Sequence, residues 1–381
     1  MSDLSQFFSQ FRKLVPLTNQ VTYLNSSFAP PCNTLIRNAI DQFLKEATES
    51  PTPKSKWQER TEQVRGLVAR YIKTAPENIA FTRDTTEGLN YFIKSMDFCP
   101  GDNVVILETE HPNHAYGWLS MREAGLEVRQ VKDECFADAA TFAPYVDDRT
   151  RAIGISSIMF HSGQRNDIPG ICAAFRPRGI HVLVDMTQQV GFAAVDVQGV
   201  SAASFSLHKG LNCPIGFACL YVEPSTLQSL RPPPIVGYGA VSNVRGDLMA
   251  PSDRIIYHST ARRYEHLNLS FIAASAAHAS LTFLLDVGPE KVENYLYLLG
   301  DRLREKCDGL GIGIVGPSLR NKHSPHLYVL DLEAHWKEHL QEHGIFVQHY
   351  RLGIRVSFSF YNNLEDVDRL VEVLQKKSEA D

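Results

Sequence analysis

Between about residues 78 and 222, short apolar runs alternate with segments whose apolar residues recur at helical spacing. "NIAFT" (78–82) precedes "EGLNYFIKSM" (87–96), in which Leu89, Phe92, Ile93 and Met96 share one helical face. "NVVILE" (103–108) precedes a helical pattern around 113–124, and "EVRQV" follows. "AIGISSI" (152–158), "HVLVDM" (181–186), "AASFSL" (202–207) and "FACLYV" (217–222) complete the β-rich segments. Strand–helix alternation of this kind predicts a mostly parallel sheet covered by helices on both faces. Ligands of such sheets sit at the carboxyl ends of the strands, so the polar residues just after each apolar run carry the chemistry.

The last third has a different pattern. "FIAASAAHASLTFLLDVG" (271–288) and "KVENYLYLLGDRLREKCDGLG" (291–311) predict long helices. "HLYVLDL" (326–332), "GIFVQHY" (344–350) and "IRVSFSFY" (354–361) predict strands, and "EDVDRLVEVLQKK" (365–377) a closing helix. The expected organisation is an N-terminal segment (1–20), a large α/β domain (21–265) and a smaller α+β domain (266–381). The first segment is expected to pack against one domain or a neighbouring subunit.

Composition narrows the function classes. The 381 residues are 44% hydrophobic and 21% charged, with a net charge of −5, as in an ordinary globular protein with a sizeable core. No basic stripe points to nucleic acid. No run approaches the ~18 apolar residues of a membrane span. Seven cysteines (32, 99, 135, 172, 213, 219 and 307) are scattered without a C-x-x-C, which fits free thiols in the cytoplasm. No metal-ligand set is expected.

Chemistry concentrates at four strand ends: "RDTTEG" (83–88), "TEHPNH" (109–114), "DMTQQ" (185–189) and "HKG" (208–210). "DTTEG" offers hydroxyls and free amides at a helix start, which serves equally as a simple cap or as a phosphate site. Asp185 ends an apolar strand, where a carboxylate either caps the next helix or holds a proton on a heterocyclic nitrogen. Lys209 lies in "FSLHKGLNCPIG" (205–216), among apolar neighbours. A desolvated lysine loses its proton readily and can form a Schiff base with an aldehyde. Lysine, acid and helix start together make a site for pyridoxal 5'-phosphate.

On "D-x-x-Q" (Asp185, Gln188), "S-x-H-K" (Ser206, His208, Lys209) and "P-x-G" (Pro214, Gly216), the chain resembles the class V aminotransferase and cysteine desulfurase family of fold-type I pyridoxal phosphate enzymes. The resemblance runs from "YLNSS" (23–27) to "RVSFSFYNNLEDVDRL" (355–370). It implies the fold-type I architecture and a homodimer whose active sites are completed by the partner subunit. It also implies that Lys209 bonds the cofactor and later moves the substrate's α-proton. Asp185 would partner the pyridine nitrogen and Gln188 the ring's phenolic oxygen. Thr85, Thr86, Ser206 and His208 match phosphate contacts, and His111 the imidazole stacked on the ring. "ARRYEHLN" (261–268) is similar to a segment whose last residue reaches the partner's phosphate, with Asn268 in place of Thr and Leu267 in place of Gly. Arg355 matches the arginine for a substrate carboxylate. Asn25 lies where an N-terminal loop approaches substrate.

Two departures stand out. No cysteine follows Cys307, so the desulfurase nucleophile that usually precedes the arginine strand is missing. Phe160 stands where the family often carries Asn. Arg165 and His161 nearby are read equally as substrate-facing or as loop residues, and His114 as a structural histidine. The expected activity on an amino acid or related amine is amino transfer, with β-elimination, decarboxylation or epimerisation as alternatives through the same carbanion chemistry. An inactive scaffold relative is the non-enzymatic alternative.

Overall fold

A computed structural model describes residues 3–132, 136–247 and 254–378. Its strands, in chain order, are β1 (Thr22–Tyr23), β2 (Ile79–Thr82), β3 (Asn103–Leu107), β4 (Glu127–Val131), β5 (Thr150–Ser156) and β6 (His181–Asp185). They continue with β7 (Ala202–Ser206), β8 (Ala218–Val222), β9 (Leu327–Leu330), β10 (Ile345–Phe346), β11 (Gln348–Tyr350) and β12 (Gly353–Ser357). Seven of them form the main sheet in the order β2-β8-β7-β6-β5-β3-β4. The pairs β3–β4, β3–β5, β5–β6 and β6–β7 are parallel.

Side-chain alternation explains why these strands read as continuous apolar runs. Val105, Leu107, Ile153, Ile155, Val182 and Val184 enter one core, while Val104, Ile106, Ala152 and Leu183 enter a second. Successive residues point to opposite faces, and both faces are covered, so nearly every position of the inner strands is buried. The exceptions are Arg151 near the start of β5 and the edge strand β4, with Glu127 and Gln130 exposed.

β8 runs antiparallel to both β7 and β2. The chain therefore turns back on itself after Ser206, and the connection 207–217 projects from the carboxyl end of β7. Lys209 stands on that connection. Gly210 beside it lies directly on Gly191: a Cβ at 210 would come within 2.3 Å of Val190 O and 2.8 Å of Gly191 Cα. Neither backbone can yield easily. Gly210→Ala is therefore expected to destabilise the protein by about 1–3 kcal/mol and to displace Lys209, read as a lower unfolding midpoint together with weaker cofactor retention.

In the C-terminal part, β11-β12-β9 form an antiparallel sheet beside the helices Phe271–Val287, Pro289–Gly309 and Leu364–Ser378. The single strand expected over 344–350 is two. Ile345–Phe346 pairs with Thr22–Tyr23, whereas Gln348–Tyr350 pairs with β12, so the run changes sheets at Val347. An apolar run cannot reveal that its two halves have different partners. Thr22–Tyr23 thus joins the C-terminal elements, although it lies inside the span 21–265. The N-terminal segment packs on the same part: Phe8 stacks on Tyr295 at 4.1 Å, and Arg12 pairs with Asp366 at 2.8 Å. Helices Thr34–Glu49 and Lys54–Ile72, for which the sequence carried no expectation, pack against Phe271–Val287. Among the described residues no single helix is long and apolar enough to cross a membrane.

Candidate active site

The carboxyl ends of β2, β6 and β7 open onto a cavity of about 420 Å³. Thr85, Thr86, His111, Asp185, Gln188, Ser206, His208, Lys209 and Arg355 all line it. Residues from Thr85 to Lys209 converge because β2, β6 and β7 end on one side, and β12 of the second sheet brings Arg355 to the same cavity.

One end of the cavity is an anion cradle. Asp84 caps the helix Thr85–Ser95 by accepting Glu87 N–H at 2.8 Å. Glu87 accepts the amide of Arg83 at 2.6 Å, so the reciprocal bond of the capping box falls one residue earlier than the sequence pattern implies. Ser206 Oγ accepts Thr85 N–H at 3.1 Å and lies 2.8 Å from Thr85 Oγ1, which in turn lies 2.7 Å from Thr187 Oγ1. Thr86 N–H has no partner among the described residues. Three hydroxyls and a free amide at a helix N-terminus suit a phosphate. The helix can come this close because Gly88 faces Ser204, where a Cβ would meet Oγ at 2.3 Å.

Lys209 stands opposite. Burial pulls its ammonium pKa down to about 8, opposed by the carboxylate of Asp185 and assisted by Arg355. The amine thus holds its proton weakly near neutral pH, as a nucleophile requires. Asp185 is buried, and its Oδ1 accepts Thr187 N–H at 2.8 Å, which fixes the carboxylate at the end of β6. Gln188 donates Nε2–H to Ser27 O at 3.2 Å, while its Oε1 has no partner among the described residues. Burial also lowers the pKa of His208 to about 4 and that of His111 below its usual value. Both imidazoles are neutral at pH 7. His111 caps the helix Pro112–Leu119, accepting Asn113 N–H on Nδ1 at 3.2 Å, and this cap sets the plane of its ring.

Arg355 is 1% exposed, on β12. Its Nη1 donates to Phe160 O at 2.9 Å, and its guanidinium lies 4.4 Å from the Tyr350 ring centre. Nε and Nη2 have no hydrogen-bond partner among the described residues. Burial lowers its pKa to about 10, so the group remains a cation at pH 7. A buried guanidinium with two unpaired nitrogens matches a carboxylate, which can take both bonds at once. Arg355→Lys keeps the charge and loses the fork. It is expected to lower kcat/KM for amino acids by about 10–100-fold, with carboxylate-free amines unaffected in the same steady-state assay.

Other expected residues lie elsewhere. Asn25 bridges to Ser357 through its backbone and does not line the cavity. Its neighbours Ser27 and Phe28 do. Asn268 does not line this chain's cavity; it accepts Lys54 Nζ–H at 3.0 Å and lines a separate depression with Gly216 and His266. Arg165 is held by Glu293 at 2.5 Å and Tyr297 at 3.1 Å, a structural role. His114 is fully buried 3.5 Å from Glu110, whose carboxylate accepts Ser156 N–H and Oγ–H. Neither His114 nor His161 lines the cavity. Thr187, Ser156, Ile158, Asn113 and Tyr350 line it without having been singled out. Thr187 was within reach of sequence reasoning, since it sits inside the D-x-x-Q motif.

Residues 35–370 match the aminotransferase class-V family. The chain belongs to the class-V aminotransferases. A Schizosaccharomyces pombe protein described as an uncharacterized aminotransferase is 50% identical over 376 residues, covering 96% of this chain and 95% of its own. A probable cysteine desulfurase of Methanothermobacter thermautotrophicus is 25% identical over 395 residues, covering 96% of each chain. An apo cysteine desulfurase from Thermococcus onnurineus superposes with a TM-score of 0.86 at 21% identity, over 97% of this chain and 98% of its own. A cystine C-S lyase solved with cysteine persulfide gives 0.85 at 20% identity, over 94% and 98%. These likenesses confirm the fold-type I architecture with its large, mostly parallel sheet. The family works with pyridoxal 5'-phosphate, and the residues present fit that group: a hydroxyl and amide cradle, a buried carboxylate, and a lysine with a depressed pKa.

Proposed function

We propose that this class-V aminotransferase transfers the amino group of an α-amino acid to a 2-oxo acid. Pyridoxal phosphate, when bound, supplies an aldehyde that takes up the amine and a ring that withdraws the electrons left at the α carbon. Lys209 would hold the cofactor, then accept the substrate's α-proton and return it. Asp185 would keep the ring nitrogen protonated, Thr85, Thr86, Ser206 and His208 would bind the phosphate, and Gln188 would contact the ring oxygen. Arg355 orients the substrate through its carboxylate.

The observation that carries the reading is the pairing of an uncommitted Arg355 fork with the Lys209 amine in one cavity. Thiol chemistry has no comparable support. Among the described residues no cysteine lines the cavity. Burial raises the pKa of Cys172 to about 11 and of Cys307 to about 12, and pushes Cys213 and Cys219 higher still. Cys135 lies outside the described residues. A thiol held protonated is a poor nucleophile.

The working unit is read as a cytoplasmic homodimer. Asn268 does not line its own chain's cavity, so its phosphate contact would be made in the partner's. Leu267, its neighbour in sequence, is exposed. The six described cysteines are free, as in a reducing compartment.

The test loads the protein with pyridoxal phosphate and supplies an amino acid panel with and without a 2-oxo acid. Appearance of the matched oxo acid and amino acid products supports amino transfer. Pyruvate and ammonia from a β-substituted alanine without acceptor would make the protein a lyase, and alkylation-trapped persulfide on a cysteine would make it a desulfurase.

A further inference from the structure

The charges and rings around Arg355 restrict the substrate. Among the described residues lining the cavity, the cations are Lys209 and Arg355, because His208 and His111 are neutral at pH 7. In the reading above the Lys209 amine is committed to the cofactor and to proton transfer. Arg355 is then the one cation this chain's described lining leaves for substrate, and its unpaired Nε and Nη2 satisfy a single carboxylate.

Beside Arg355 the lining is apolar. Phe160 is edge-on to His111 at 4.9 Å and to Tyr350 at 5.8 Å. Ile158 lies on the same lining, and Phe28, 53% exposed, stands at the mouth. Phe160 fixes Arg355 through its carbonyl, so the aromatic wall and the cation are parts of one device. The remaining lining charges are the carboxylates of Asp84 and Asp185. Beyond these the lining offers a second substrate carboxylate neutral groups such as Ser27, Asn113 and Ser156 and no further cation from this chain, and a carboxylate taken out of water without a cation is disfavoured.

We propose that the site takes monocarboxylic amino acids with apolar or aromatic side chains and rejects dicarboxylic ones. The proposal rests on the amino-transfer reading and deepens it. Amino transfer uses one site twice, so the acceptor obeys the same rule and is a monocarboxylic 2-oxo acid such as pyruvate. The exchange balances without an outside oxidant or reductant. The donor's C–N and α-C–H bonds give way to C=O, while the acceptor's C=O gives way to C–N and C–H.

The test measures kcat/KM of the cofactor-loaded protein for phenylalanine, leucine, aspartate and glutamate, each with pyruvate and with 2-oxoglutarate. The expected result is a preference on the order of 100-fold for phenylalanine and leucine, with pyruvate favoured over 2-oxoglutarate by a similar factor. Phe160→Asn should narrow that preference. Aspartate or glutamate used as well as phenylalanine would overturn the proposal. A binding measurement separates this inference from the reading beneath it. The loaded protein's Tm should rise with 3-phenylpropionate but not with succinate, and Arg355→Ala should lose the rise. If no donor is deaminated while 3-phenylpropionate still binds preferentially, amino transfer falls and the selectivity stands. Equal stabilisation by succinate sinks the selectivity itself.

Discussion

Lys209→Ala is expected to fold, to keep its oligomeric state and to lose turnover. Burial brings the Lys209 pKa to about 8 beside Asp185, so the wild-type amine titrates close to working pH. Its proton-transfer role alone is worth about 10²–10⁴-fold in rate, and loss of the covalent attachment adds to that. The fold should tolerate the change, since Gly210, Gly191 and the turn in which Asn212 N–H bonds Lys209 O at 2.9 Å hold the loop through backbone atoms. Lys209→Arg should fail equally, because guanidinium cannot be deprotonated in a protein. Single-turnover kinetics at saturating cofactor check both, with circular dichroism as the control for folding. Turnover by either variant at the wild-type rate would remove Lys209 from the mechanism.

The second large effect belongs to Asp185→Asn. The carboxylate bonds Thr187 N–H through Oδ1, and an asparagine oxygen can accept the same bond, so the end of β6 keeps its shape. The negative charge is lost. A ring nitrogen without an ionised partner gives up its proton and withdraws electrons less well, which costs roughly 3–4 kcal/mol of transition-state stabilisation, on the order of 10²–10³ in kcat. Unfolding stability should change far less than kcat. Near-normal kcat in the variant would show that Asp185 only caps its turn.

Much of this site was legible in the sequence because it lies at strand ends. Asp185, Ser206 and the "HKG" turn could be placed on one side once the β-runs were seen to be parallel and buried on both faces. Helical spacing at Leu89, Phe92 and Ile93 likewise placed Thr85 and Thr86 at a helix start. What stayed hidden depends on contacts between distant segments. Phe28 and Ser27 reach the cavity because Thr22–Tyr23 pairs with Ile345–Phe346, and nothing local to either segment announces that pairing. Tyr350 stacks on Arg355 because β11 and β12 are antiparallel neighbours, whereas the apolar run 344–350 looked like one strand. The assignment of Arg355 came through family resemblance. Its unpaired nitrogens became visible only with the Phe160 carbonyl and the Tyr350 ring around it. Asn25 illustrates the converse. It lies in the right loop, but its backbone bridge to Ser357 leaves Ser27 and Phe28 to line the cavity instead.

The central claim is that Lys209 holds pyridoxal phosphate in this cavity. Borohydride reduction of the cofactor-loaded protein, followed by proteolysis and mass spectrometry, tests it most directly. The expected result is a yellow protein before reduction and, after it, one modified lysine carrying the phosphopyridoxyl group, on the peptide containing "FSLHKGLNCPIG". Attachment of the group to a different lysine, or no attachment under conditions that saturate the protein with cofactor, would contradict it.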